Sequence, residues 1–161
     1  DDLVDCPVPV ITVFGNHDYH MGQEERLKEI LEEANVRVLE RSGTILNLKG
    51  KTVGIYGLKG FGGGFMGACC SDFGEPETKA FIGHTKDLAE DLREGLLALK
   101  TDYKIALLHY SPTAQTLLGE KKEIYPFLGS YLLAEAIDDG GADVAFHGHA
   151  HKGAEHGKTP G

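Results

Sequence analysis

At 161 residues, 41% of them hydrophobic and 25% charged, the chain can bury one domain-sized core and is too apolar to be disordered. Its formal net charge of −9 argues against a surface that tracks nucleic acid, which requires clustered Lys and Arg, although metal ions can still hold a phosphate on an acidic protein. No apolar run approaches the ~20 residues that span a bilayer and no secretory pattern opens the chain, so no membrane partner is expected; a signal peptide further upstream stays open.

Residues 8–14, VPVITVF, are β-branched and aromatic and read as a buried strand ending at Gly15. In GQEERLKEILEEAN, residues 22–35, Leu27, Ile30, Leu31 and Ala34 recur at helical spacing and predict an amphipathic helix. Residues 36–40 read as a strand, and 44–58 as two strands around a turn at Lys49-Gly50-Lys51. The glycine-rich stretch 59–77 has no periodicity and reads as a long connection, of the kind that is functional or mobile. A second helix is predicted over 84–99, with Leu88, Leu92, Leu96 and Leu99 along one side. Residues 103–111 form another apolar strand, and 112–129 a loop marked by Pro and Gly. A third helix opens at Ser130 as N-cap and stops at Gly140-Gly141; the strand 143–146 follows. Strands alternating with helices, without repeat or linker, predict one α/β domain over 1–161. Cys6 and the adjacent Cys69-Cys70 make neither an even framework nor a C-x-x-C pair, and are read as reduced thiols of a cytoplasmic protein.

The last strand runs into DVAFHGHAHKG, where His147, His149 and His151 fall at every other position. Residues two apart on a strand share a face, so the pattern suits either a metal site or a His-rich surface tract. Gly148 is expected to relieve crowding between them. Two other strands also end in metal-capable side chains, FGNHDYH with Asn16 and His17, and LLHYSP with His109. Carboxyl ends of strands are where α/β folds bind ligands, so the three exits are expected to converge.

Gly15-Asn16-His17-Asp18, the isolated His109 and Gly148-His149-Ala150-His151 together resemble the calcineurin-like metallophosphoesterase family, in the order G-N-H-D/E, His, G-H-x-H. The resemblance covers residues 8–151. It implies a sandwich of two mixed β-sheets flanked by helices and hydrolysis of phosphomonoesters or phosphodiesters at two divalent metal ions, Mn²⁺, Fe²⁺ or Zn²⁺, with Mn²⁺ favoured. By the same resemblance, Asn16, His109 and His149 ligate one metal, His151 ligates the other, and His17 is the general acid. His147 has no fixed counterpart in the family and reads as a strand-end histidine beside the site; Tyr19 and His20 either face substrate or pack at the helix entry, and His84 and His156 read as ordinary surface residues. The loops after IYGLKGFGGGF and HYSP are similar, loosely, to bacterial enzymes near the cyclic-nucleotide phosphodiesterase branch; Phe61 and Phe65 either wall a leaving group or pack beneath the loop.

The family's upstream blocks, D-x-H and G-D-x-x-D, are absent. DDLVD, residues 1–5, lies too near Gly15 to leave room for the helix that normally intervenes, and reads instead as the end of a helix. The chain is therefore expected to be the latter two-thirds of an enzyme, cut at both ends and nearly inactive alone. The rival readings are a non-catalytic scaffold on the same fold and a small structural zinc domain. The expected partner is a small phosphate-ester substrate.

Overall fold

A computed structural model describes residues 3–161; Asp1 and Asp2, which open DDLVD, lie outside them. Leu3–Asp5 form a turn, closed by the Cys6 N–H on the Leu3 carbonyl at 3.2 Å, and not the helix end expected. Pro7 and Pro9 follow and keep the chain extended.

Strand β1 (Val10–Thr12) is shorter than the run 8–14. Pro9 has no N–H for a ladder, and the Phe14 N–H is taken by the Glu40 carboxylate at 3.1 Å. Helix α1 (Glu24–Glu33) carries the predicted stripe, with Leu27, Leu31 and Ala34 half-buried and Ile30 exposed. It packs on β2 (Val36–Val38), which pairs parallel with β1. Strands β3 (Ser42–Leu48) and β4 (Lys51–Leu58) form a hairpin, turned by positive φ at Lys49 and Gly50.

The glycine-rich stretch contains a small hairpin, β5 (Gly64–Phe65) with β6 (Ala68–Cys69). Helix α2 (Pro76–Ala98) begins eight residues earlier than the leucine stripe suggested. Its first turns are held from the side: the Thr85 hydroxyl donates to the Gly62 carbonyl, and the Phe81 ring packs on Phe61 with centroids 4.9 Å apart. Strand β7 (Tyr103–Leu108) stops short of 111, because the His109 and Tyr110 N–H groups both turn to the Lys59 carbonyl at 3.0 Å. Two 3₁₀ turns and a helical turn α3 (Tyr125–Leu128) fill the predicted loop. Helix α4 (Tyr131–Gly140) is capped as expected, with Ser130 accepting from the Leu132 N–H and Gly141 at φ +69. Strand β8 (Val144–Phe146) closes the larger sheet.

That sheet is mixed, in the order β3-β4-β7-β8, with β4, β7 and β8 mutually parallel. One face carries Tyr56, Leu58, Ala106 and Leu108 into a core shared with α2 (Leu88, Leu92, Leu96) and α4 (Leu133, Ala136, Ile137). Leu92, Leu96 and Leu133 are fully buried, so truncating any one to Ala costs about 2–5 kcal/mol. On the opposite face Gly57 lies under the segments that follow β1 and β2. A Cβ there would meet Leu39 Cβ at 2.6 Å and Val13 Cγ1 at 2.9 Å, so only glycine lets them lie so close. One four-stranded mixed sheet, the parallel β1–β2 pair and the small β5–β6 hairpin, with helices packed against them, make a mixed α/β fold in which only the larger of the two expected sheets is mixed.

Candidate active site

The parallel pairing of β4, β7 and β8 places their carboxyl ends along one edge of the sheet, and the close approach at Gly57 brings the exit of β1 to the same edge. The β1 exit is a tight turn. The Asp18 N–H donates to the Gly15 carbonyl at 3.2 Å, and the Asp18 carboxylate accepts from the Gly15 N–H at 2.7 Å. Asn16 and His17 are the two residues this turn presents.

Asn16, His109 and His149 come together. His109 Nε2 lies 2.9 Å from Asn16 Oδ1 and 3.0 Å from His149 Nδ1. The other nitrogen of His149, Nε2, faces the Phe127 carbonyl at 3.1 Å, so that nitrogen carries the proton and Nδ1 presents its lone pair inward. His109 Nε2 thus sits between two acceptors and, with at most one proton, can satisfy only one. A cation at their centre resolves the conflict. An imidazole whose far N–H is fixed by a backbone carbonyl is also the usual arrangement of a metal-bound histidine. Burial pushes the His109 pKa down to about 4, helped by the charges of His149, Lys59 and His17, with Asp18 opposing. Burial likewise lowers that of His149. Both rings are neutral at pH 7, as ligation requires.

His149 is held at φ +70, a left-handed conformation that costs a non-glycine residue about 1–2 kcal/mol. Flanking hydrogen bonds maintain it, Gly148 N–H to the His109 carbonyl at 3.2 Å and Ala150 N–H to the Gly148 carbonyl at 2.9 Å. Strain of this kind concentrates at functional sites. The crowding expected at Gly148 falls elsewhere. A Cβ on Gly148 would stand an ordinary 3.5 Å from His109 Nδ1, whereas one on Gly15 would meet His109 Cε1 at 2.8 Å.

The three alternating histidines do not share a face, because β8 ends at Phe146, before the first of them. His147 points to Thr116, with Nε2 2.8 Å from its hydroxyl and Nδ1 2.8 Å from the Gly148 carbonyl, so both nitrogens are engaged within the protein. His151 is exposed and outside hydrogen-bonding reach of the other three, although its charge and that of His17 are felt at His149. His17 is exposed beside Asn16, and its charge reaches His109 as well. Among the described residues no three His, Cys, Asp or Glu side chains converge as a metal-binding group. The convergent set is two histidines and an asparagine. Of the remaining histidines, His20 and His156 are exposed, and His84 stands edge-on to Phe61 at 4.9 Å. A cleft of about 760 Å³ beside β8, walled by the C-terminal segment, touches His147 and His149 but not Asn16, His109 or His17.

A fourth strand exit, unremarked in the sequence, joins the site. Lys59 follows β4, and its ammonium lies over the Tyr19 ring at 4.1 Å, with Phe61 at 5.4 Å and Tyr110 at 6.0 Å. The Tyr110 ring in turn lies 4.4 Å from that of His149. Tyr19 donates its hydroxyl to Glu40 at 3.1 Å, and the same carboxylate holds the Phe14 N–H. Glu40 thereby ties both sides of the turn that carries Asn16 and His17. The sequence signal was present, a charged residue at the end of an apolar strand. Phe61 stands in this aromatic row, whereas Phe65 is buried in a separate cluster with Leu117, Tyr125 and Leu128.

The profile of one family, calcineurin-like phosphoesterase, matches residues 1–153. The chain belongs to the calcineurin-like phosphoesterases, a family of phosphoester hydrolases that generally bind divalent metals. One crystal structure superposes with a TM-score of 0.58 at 17% identity, over 99% of this chain and 57% of that one. The chain thus spans little more than half the length of that structure. A second, a hypothetical protein from Thermus thermophilus, gives 0.47 at 17% identity, over 90% of this chain and 46% of that one. No curated protein matches. Among the described residues no helix is long and apolar enough to cross a membrane, and Cys6, Cys69 and Cys70 are free.

Proposed function

We propose that the chain carries the metal-binding half of a phosphoesterase site, in which Asn16, His109 and His149 hold one divalent cation and His151 contributes to a second. The observation that carries this reading is the meeting of Asn16 Oδ1 and His149 Nδ1 on His109 Nε2, each within 3.0 Å of it, with a carbonyl fixing the outer face of His149. Mixed nitrogen and oxygen donors favour borderline cations such as Mn²⁺, Fe²⁺ or Zn²⁺, with Mn²⁺ the first to test. When bound, such cations neutralise the phosphoryl oxygens and lower the pKa of water near them.

The chain's own residues supply the rest. His17, on the turn that presents Asn16, is the proposed donor of a proton to the departing oxygen of a phosphomonoester or diester. Asp18 and Glu40 hold that turn in place from opposite sides. The substrate is a small phosphate ester.

One observation favours a second reading, a non-catalytic scaffold: no carboxylate among the described residues joins the convergent set. Titration with Mn²⁺ separates the two. The phosphoesterase reading expects tight binding that falls towards half of the wild-type metal content in His109→Ala and His149→Ala, and hydrolysis of an ester panel once D-x-H and G-D-x-x-D segments are joined ahead of residue 1. A wild-type chain that binds no Mn²⁺ and stays inert with those segments supports the scaffold.

A further inference from the structure

The Lys59 ammonium is half-buried and, among the described residues, no carboxylate comes within ion-pair distance of it. Its ammonium also donates no hydrogen bond among the described residues, whereas that of the half-buried Lys104 reaches the Gly140 carbonyl at 3.2 Å. Glu40, the carboxylate whose charge acts most on it, ahead of Glu24, has its two oxygens engaged by the Phe14 N–H and the Tyr19 hydroxyl. An amine withdrawn from water without an anion is costly, and burial already pulls its pKa below the usual lysine range. The backbone around it is fixed, since its carbonyl accepts both the His109 and Tyr110 N–H groups. The cation is therefore tethered to the strand exit that carries His109, with Tyr19, Phe61 and Tyr110 around it and the Tyr110 ring bridging to His149.

We infer that Lys59 is a substrate-binding residue, taking a second anionic group carried by the leaving group of a phosphate ester whose planar or apolar part lies against the half-buried Phe61 ring. The inference rests on the phosphoesterase reading of the Asn16-His109-His149 site. It narrows the substrate class to esters whose leaving group pairs a ring with a negative charge. A flat leaving group covers the half-buried Phe61 ring, and its charge supplies the partner that Lys59 lacks.

The test compares two probes, phenyl phosphate and 4-carboxyphenyl phosphate, by calorimetry on the Mn²⁺-loaded chain. The wild type should bind the carboxylated probe about tenfold more tightly, the gain of one charge-assisted hydrogen bond. Lys59→Met should remove that preference while weakening phenyl phosphate far less, and Lys59→Arg should restore most of it. Equal affinity of the wild type for the two probes, or an undiminished preference in Lys59→Met, overturns the role of Lys59 and leaves the phosphate site standing. Binding of neither probe by the Mn²⁺-loaded wild type overturns the phosphoesterase reading itself, and the inference with it.

Discussion

The imidazole of His109 leaves no room for a side chain at Gly15, where a methyl group would stand 2.8 Å from Cε1. Only a residue without Cβ lets the β1 turn lie flat against that ring, and this contact sets the distance from Asn16 Oδ1 to His109 Nε2. Gly15→Ala should therefore displace His109 and weaken Mn²⁺ binding about 10–100-fold, the usual cost of disturbing a ligand's support. Metal titration measures the loss and thermal unfolding confirms the fold. Unchanged affinity would show that His109 reorients freely.

His147 and His149 should behave as opposites. Both nitrogens of His147 are engaged by Thr116 and Gly148, so His147→Ala should lower stability by about 1 kcal/mol and keep the bound metal. His149→Ala removes a donor and should reduce metal content towards half of the wild-type value, if His151 serves a separate ion. Metal analysis of the two purified variants decides it. Loss of metal in His147→Ala alone would reverse the assignment.

His17 stands exposed beside Asn16, and among the described residues its side chain makes no hydrogen bond. In a form extended with the upstream D-x-H and G-D-x-x-D segments, His17→Ala should keep its metal and lose about 10²–10⁴-fold in kcat. The effect should shrink on esters with good leaving groups, which need little protonation. The 161-residue chain alone, with Mn²⁺, should turn over very slowly, because no carboxylate among the described residues joins its donors. Rapid turnover by the chain alone would argue that DDLVD, residues 1–5, is a ligand block after all.

Away from the site, Asp102 joins the start of β4 to that of β7, accepting from the Thr52 N–H at 2.8 Å, the Thr52 hydroxyl at 2.9 Å and Lys51 Nζ at 3.0 Å. The Thr52 N–H, then the Lys51 and Thr52 side chains, hold its pKa down to about 2, below an ordinary 3.8. A depressed acid contributes stability above its unfolded pKa and loses it as pH falls through the folded one. The wild type should be more stable than Asp102→Asn at pH 6, and the gap should close between about pH 4 and pH 2. Thermal unfolding of both proteins over that range tests it; a gap that persists at the acid end would assign the effect to geometry and not to charge.

Much of the site was legible along the chain because its donors sit in short local patterns. Gly15-Asn16-His17-Asp18 and Gly148-His149-Ala150-His151 each follow an apolar run whose direction a strand determines, and the leucines of α2 and the Ser130 cap announce themselves within a few residues. Local signals misled where tertiary contacts end an element. The strand carrying the histidines stops at Phe146, so His147 turns to Thr116 while His149, held at φ +70, turns to His109. Helix α2 gains its first turns from Thr85 on Gly62 and Phe81 on Phe61, contacts that no hydrophobic stripe records, although Pro76 at its first turn was a usable start signal. Amino-acid order alone determined which donor types the strands deliver, since side-chain chemistry and strand periodicity are properties of neighbouring residues. Which donors meet was decided only by the fold: the parallel pairing of β4 with β7 sets Lys59 against His109 and Tyr110, and the close packing at Gly57 brings Asn16 to the same edge. Those contacts join residues far apart in sequence, and they form through packing and loop closure that the chain pays for only on folding.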